Sequence, residues 1–207
     1  MVNKIFIGGF GGVGSRLVPQ ILKQLDFYVG EETDKTGNWD FGASNGFVQI
    51  FDSCFQKQNF LPLFNFIDTT LKNPTHFAIK HGHLMFIFNQ LKTQHPGCKT
   101  IYIMRNPIDA ALKLEYIPHF KYGKIPLNDL EAKIQYYIDE SIRACEKADL
   151  VIKYEDLCFD LENQINIIRK FTGATSLNLP QINIKPSSTI GIGKKYYNKF
   201  DMSKLGY

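Results

Sequence analysis

Four short apolar runs recur along the chain, at Lys4–Gly8, His76–Lys80, Thr100–Met104 and Leu150–Lys153. Each is of strand length, and each is followed closely by polar or glycine residues and then by a helical pattern. Strands alternating with helices in this way predict an α/β fold with a mostly parallel sheet flanked by helices. One helix follows Asn128, which with Glu131 three residues on forms a capping-box pattern, and Leu130, Ile134, Tyr137, Ser141 and Cys145 then keep helical spacing. Asp160 is placed to cap another, whose Ile165, Ile168 and Phe171 face inward and which Gly173 stops. Two stretches, Glu31 to Gly46 and Leu177 to Lys195, carry neither period and read as loops. In an open parallel sheet a ligand sits beyond the carboxyl ends of the strands, so the loops that follow strands are where chemistry is expected.

Composition narrows the classes. At 207 residues and 44% hydrophobic, the chain suits one core, so a single domain over 1–207 is expected. The net charge of +4 arises from interspersed Lys, Glu and Asp. That suits a small anionic ligand and argues against a nucleic-acid partner. Cys54, Cys98, Cys145 and Cys158 are scattered without CxxC spacing, so they read as reduced thiols of a cytosolic protein, and no metal site is expected. The N-terminus runs straight into a strand pattern, and no window approaches the roughly 20 apolar residues of a membrane span, so the expectation is a soluble, cytoplasmic protein.

The first strand leads into KIFIGGFGGVGSRLVPQIL, Lys4 to Leu22. Gly9, Gly11 and Gly14 satisfy the dinucleotide-binding GxGxxG, with Glu31, Glu32 or Asp34 at about the distance of a ribose-binding acid. Gly9 and Gly14 also have the spacing of a nucleoside triphosphate loop, but Ser15 and Arg16 follow where that motif needs Lys and then Ser or Thr. A third reading is a phosphosulfate loop, whose free backbone N–H groups and helix dipole receive an activated sulfate donor. All three place an anion at the N-terminus of a helix starting near Gly14. A purely structural reading has the glycines letting strand and helix pack closely.

Two later segments add chemistry. In KTIYIMRNPIDAALKL, Lys99 to Leu114, Arg105 stands at the carboxyl end of a buried strand, where a guanidinium offers a fork of donors matched to phosphate or pairs with a neighbouring acid. Asn106, Pro107 and Asp109 read as cap, first helical position and first-turn acid. In DLVIKYEDLCFD, Asp149 to Asp160, Tyr154 lies against a base or closes the core.

Taken together, a phosphate loop opening the chain, RNPxDAA after a middle strand and KYEDL after a later one resemble the sulfotransferases that use 3′-phosphoadenosine 5′-phosphosulfate (PAPS). The resemblance runs from Lys4 to about Tyr197. It implies a nucleotide-kinase-like parallel sheet and metal-free transfer of a sulfuryl group to a hydroxyl or amine of a small-molecule or carbohydrate acceptor, leaving adenosine 3′,5′-bisphosphate (PAP). On that resemblance Gly9, Gly11, Gly12, Val13, Gly14, Ser15 and Arg16 would hold the 5′-phosphosulfate. Arg105 would contact the 3′-phosphate and Tyr154 would lie near the adenine. Lys113 stands where the family has a serine. SSTIGIGKKYY, Ser187 to Tyr197, resembles the closing loop and puts Gly193, Lys194 and Lys195 beside the 3′-phosphate. The family's Lys and His after the second strand correspond, with a one-residue shift, to Lys80 and His83, which Leu84 follows as in the family's His–Leu pair, or to Lys80 and His81, as the base that takes the acceptor proton. The basic residue the family carries within the glycine loop is absent, since that position is Gly12, which leaves Arg16 and Lys80 to supply the charge. Trp39, in KTGNWDFG, matches a stretch that precedes the acceptor pocket or covers the core. A nicotinamide dinucleotide-binding oxidoreductase and a PAPS-binding protein without turnover are the alternatives.

Overall fold

The computed structural model describes residues 3–30, 46–70, 75–113, 129–176 and 180–207. In chain order these form β1 (Asn3–Gly8), α1 (Leu17–Gln24), α2 (Phe47–Lys57), α3 (Leu61–Thr70) and β2 (His76–Lys80). After a 3₁₀ turn at Gly82–Ile87 come α4 (Phe88–Gln94), β3 (Lys99–Met104), α5 (Pro107–Lys113), α6 (Leu130–Lys147) and β4 (Leu150–Lys153). Helices α7 (Tyr154–Phe159) and α8 (Leu161–Thr172) precede a C-terminal strap that ends in 3₁₀ turns at Lys194–Lys199 and Ser203–Leu205.

The sheet is parallel throughout, in the order β2-β1-β3-β4. Its strands coincide with the four apolar runs to within one residue. The inner strands are buried on both faces, as Ile5, Phe6 and Ile7 of β1 and Ile101, Tyr102 and Ile103 of β3 show. Such continuous burial is what parallel strands covered by helices require. Tyr28 extends the sheet past β2: its N–H donates to His76 O at 3.0 Å, and its carbonyl accepts from Ala78 N at 2.9 Å. Counting Tyr28 as the second position in chain order, β1 lies between the third and fourth. In the dinucleotide-binding order the first strand is instead neighboured by the second. The glycine loop therefore leaves a sheet of different connectivity from the one that GxGxxG implies.

Local signals set the helix ends. Asp129 caps α6, its Oδ1 accepting from Glu131 N and Ala132 N at 3.0 and 3.1 Å. Asn128, the cap expected from sequence, lies outside the described residues. Asn106 Oδ1 caps α5 by accepting from Ile108 N at 3.0 Å and Asp109 N at 3.3 Å. Asp160 takes the N-cap position of α8 without a side-chain cap bond, and Gly173, at φ 73°, ends that helix. No helix among the described residues is long and apolar enough to cross a membrane.

Candidate functional site

Helix α1 starts at Leu17, three residues later than Gly14. The reason is local: Gly14 and Gly12 both sit at φ 74°, outside the helical region, and the loop turns through them before Leu17 N can donate to Gly14 O at 3.0 Å. A Cβ on Gly14 would lie 2.3 Å from Cδ2 of Tyr154, so the Tyr154 ring is seated directly on the loop. The other end of the loop is tied to the segment after β2, where Gly9 N donates to Gly82 O at 3.1 Å.

A cavity of about 600 Å³ opens where the loop, Lys80, Lys113 and Tyr154 meet. Gly12, Gly14, Ser15 and Arg16 form one wall. Asn183, Lys185 and Ser187 of the strap also line the cavity. Arg16, Lys80, Lys113 and Lys185 line it, and no carboxylate does among the described residues. Glu31, Glu32 and Asp34, the acids of the dinucleotide reading, lie outside the described residues, as does Trp39. Lys113 reaches from the last turn of α5 and donates from Nζ to Gly12 O at 3.4 Å. Its ammonium is held below the usual lysine pKa by burial first, then by the charges of Arg105 and Arg16. Lys80 ends its strand with only 6% of its surface exposed.

Arg105 is 1% exposed and does not line this cavity. Its guanidinium carbon lies 5.3 Å from the Tyr154 ring centroid, and Nη2 donates to Thr189 Oγ1 at 2.8 Å. Nε and Nη1 have no hydrogen-bond partner among the described residues. A buried cation with two idle donors is a costly arrangement that an anion would relieve. Around it the strap is held by polar contacts. Ser187 N donates to Tyr154 Oη at 3.1 Å, and the Ser187 and Thr189 hydroxyls are 2.8 Å apart. Burial is the main cause that raises the Tyr154 hydroxyl pKa.

Asp109 does more than a first-turn acid. Its carboxylate is 1% exposed and accepts from Gly191 N at 2.5 Å, Gly193 N at 2.7 Å and Tyr197 Oη at 3.1 Å. Burial and this carboxylate together push the Tyr197 hydroxyl well above its ordinary pKa. Gly193 is closed in by this arrangement, whereas Lys194 and Lys195 are exposed and stand apart from the cavity wall, with Lys195 Nζ 4.9 Å from the Tyr196 ring centroid.

His81 and His83 follow Lys80, but neither lines the cavity. Both are over nine-tenths buried, their ring centroids 5.1 Å apart. Phe51 lies 5.0 Å from His81 and 5.6 Å from His83, and Phe47 lies 5.4 Å from His81. The histidines thus form part of an aromatic wall with α2.

No protein-family model matches the chain. No curated protein matches it either. Among solved structures, the sulfotransferase from Alicyclobacillus acidocaldarius superposes with a TM-score of 0.52 at 14% identity, over 99% of this chain and 94% of that one. The chain has the sulfotransferase fold. Shikimate kinase from Bacteroides thetaiotaomicron gives a TM-score of 0.47 at 13% identity over 83% of this chain and 98% of its own. Mouse sulfotransferase SULT7A1 complexed with PAP gives 0.45 at 14% identity over 98% of this chain and 66% of its own. Within the sulfotransferase fold of this chain, the glycine loop, Lys80, Lys113 and Tyr154 converge on one cavity, with Arg105 packed against Tyr154. Asn183 and Lys185 join them without any sequence signal of their own.

Proposed function

We propose that the chain forms a single sulfotransferase domain that moves a sulfuryl group from PAPS to a hydroxyl or amine of a small-molecule or carbohydrate acceptor, leaving PAP. The observation that carries this reading is the cavity at the glycine loop, lined by Arg16, Lys80, Lys113 and Lys185 and by no carboxylate among the described residues, beside a buried Arg105 with two idle donor nitrogens. A ligand bearing anions at two ends suits that charge pattern. The loop from Gly9 to Arg16 holds the 5′-phosphosulfate, Tyr154 packs near the adenine, and Arg105 meets the 3′-phosphate beneath the strap that carries Gly193, Lys194 and Lys195.

In the transfer, the acceptor oxygen or nitrogen forms its bond to sulfur as the bond from sulfur to the bridging phosphate oxygen breaks, and the acceptor proton passes to His83 or His81. Lys80 and Arg16 stabilise the charge that grows on the leaving oxygen. The acceptor approaches from the aromatic side, past α2, because that is where both histidines stand. A second reading, a protein that binds the nucleotide without turnover, draws support from the position of both histidines outside the cavity wall.

Thermal unfolding with PAP, NADH, NADPH and ATP in separate samples tests the reading. A ligand at about 100 times its dissociation constant adds about 2.7 kcal/mol, which raises the midpoint of a domain this size by roughly 5 to 10 °C. A rise with PAP alone is expected. A rise with NADH or NADPH and none with PAP would overturn the proposal.

A further inference from the structure

The residues Gly9 to Ser15 of the loop carry no cation, and Gly12 adopts a backbone conformation that a lysine would strain. An anion on this loop therefore draws its charge from Arg16 at the loop's end and from cations of other elements. Lys113 Nζ lies at the Gly12 carbonyl, 3.4 Å away, having crossed from α5 to reach it. The contact is to a neutral oxygen, and no carboxylate lines the cavity among the described residues, so no acid there neutralises the ammonium. Arg16 and Arg105 lie near enough for their charges to disfavour protonation of Lys113. Like charges gathered around an open cavity are relieved when an anion enters.

We infer that Lys113 serves the 5′ end of the nucleotide, placing its ammonium across the glycine loop where the sulfuryl group leaves, and not the 3′-phosphate end. The inference rests on the PAPS reading above. Two sets of donors are thereby distinguished: Arg105 with Thr189, neither of which lines the cavity, and Lys113 with Gly12 and Arg16, which do. In the transfer Lys113 keeps its proton throughout and offsets the negative charge that builds on the 5′-phosphate as the sulfur–oxygen bond breaks. A lysine in the last turn of α5 also complements the helix dipole, and the experiment separates that structural role from ligand binding.

The test uses the full chain and its Lys113→Gln and Lys113→Arg variants. Affinity is measured for PAP directly, and for adenosine 5′-monophosphate and adenosine 3′-monophosphate by displacement of PAP, which reads millimolar constants. The Gln variant is expected to weaken PAP and the 5′-monophosphate by about tenfold and to leave the 3′-monophosphate within about twofold. The Arg variant restores most of the loss. A loss confined to the 3′-monophosphate, or no loss for any ligand, overturns the assignment while the PAPS reading stands. Failure of the unaltered protein to bind PAP overturns both.

Discussion

The glycine loop and the C-terminal strap both line the cavity and are held in different ways. The loop takes its shape from its own backbone: two glycines at positive φ, a strand behind and a helix ahead. Among the described residues the strap pairs with no strand, and side chains of other elements bind it. Gln24 of α1 grips its start through paired contacts to Gln181 of 3.2 and 2.7 Å. Tyr154 and Arg105 hold Ser187 and Thr189, and Asp109 holds Gly191, Gly193 and Tyr197. The loop is shaped chiefly by its own backbone, whereas the strap depends on distant polar contacts together with the packing of Ile182, Ile184, Ile190 and Tyr197 against the core.

Changing the rigid wall has the largest effect. Gly14→Ala puts a Cβ at φ 74° and 2.3 Å from the Tyr154 ring. The left-handed conformation alone costs about 1–2 kcal/mol, and displacing the ring brings the expected loss of stability to roughly 3 kcal/mol in urea unfolding. A loss under about 1 kcal/mol would show that the loop adapts and that its shape is not set by its backbone.

Asp109→Asn strikes the other wall. The amide keeps the volume but gives up the charge, and it can turn an N–H₂ toward the Gly191 and Gly193 amides. Removing a charge-assisted hydrogen bond costs roughly 1.5–3 kcal/mol, so about 2 kcal/mol is expected, with the loss localised. Hydrogen exchange should quicken at Gly191 and Gly193 while β1 and β3 keep their protection. Equal loosening of both regions would mean that Asp109 supports the sheet as a whole and not the strap.

The two walls also differ in how far the sequence discloses them. The four strands were legible as apolar runs, and Arg105 stood out because a charge closes one of them. The loop was legible because glycine spacing encodes backbone conformation directly, although the helix start moved to Leu17 once Gly14 took φ 74°. Asn183 and Lys185 gave no signal, because no strand or motif precedes them. Their place on the cavity depends on contacts with α1, α5 and Tyr154 made across the fold. Asp109 was concealed differently: its position in the first turn of α5 already accounts for an acid, so nothing local hints at the three donors from the strap. The burial of His81 and His83 against Phe47 and Phe51 depends likewise on where α2 packs against the segment after β2, which the Lys80-to-His83 spacing does not report.

The smallest change separates the strap's hold on Arg105 from the ligand's. Thr189→Val keeps the shape of the side chain and removes the hydroxyl that accepts from Arg105 Nη2 at 2.8 Å. In the free protein this leaves one more donor of a buried guanidinium unsatisfied, at a cost of about 1.5 kcal/mol. If a phosphate of the nucleotide takes the Arg105 donors in place of Thr189, that cost is absent from the bound state, and the variant binds PAP as tightly as the unaltered protein or severalfold more tightly. If Thr189 instead stays on Arg105 and the two bind the phosphate together, affinity falls along with stability. Measuring unfolding free energy and PAP affinity on the same variant distinguishes a strap that yields to the ligand from one that completes its site.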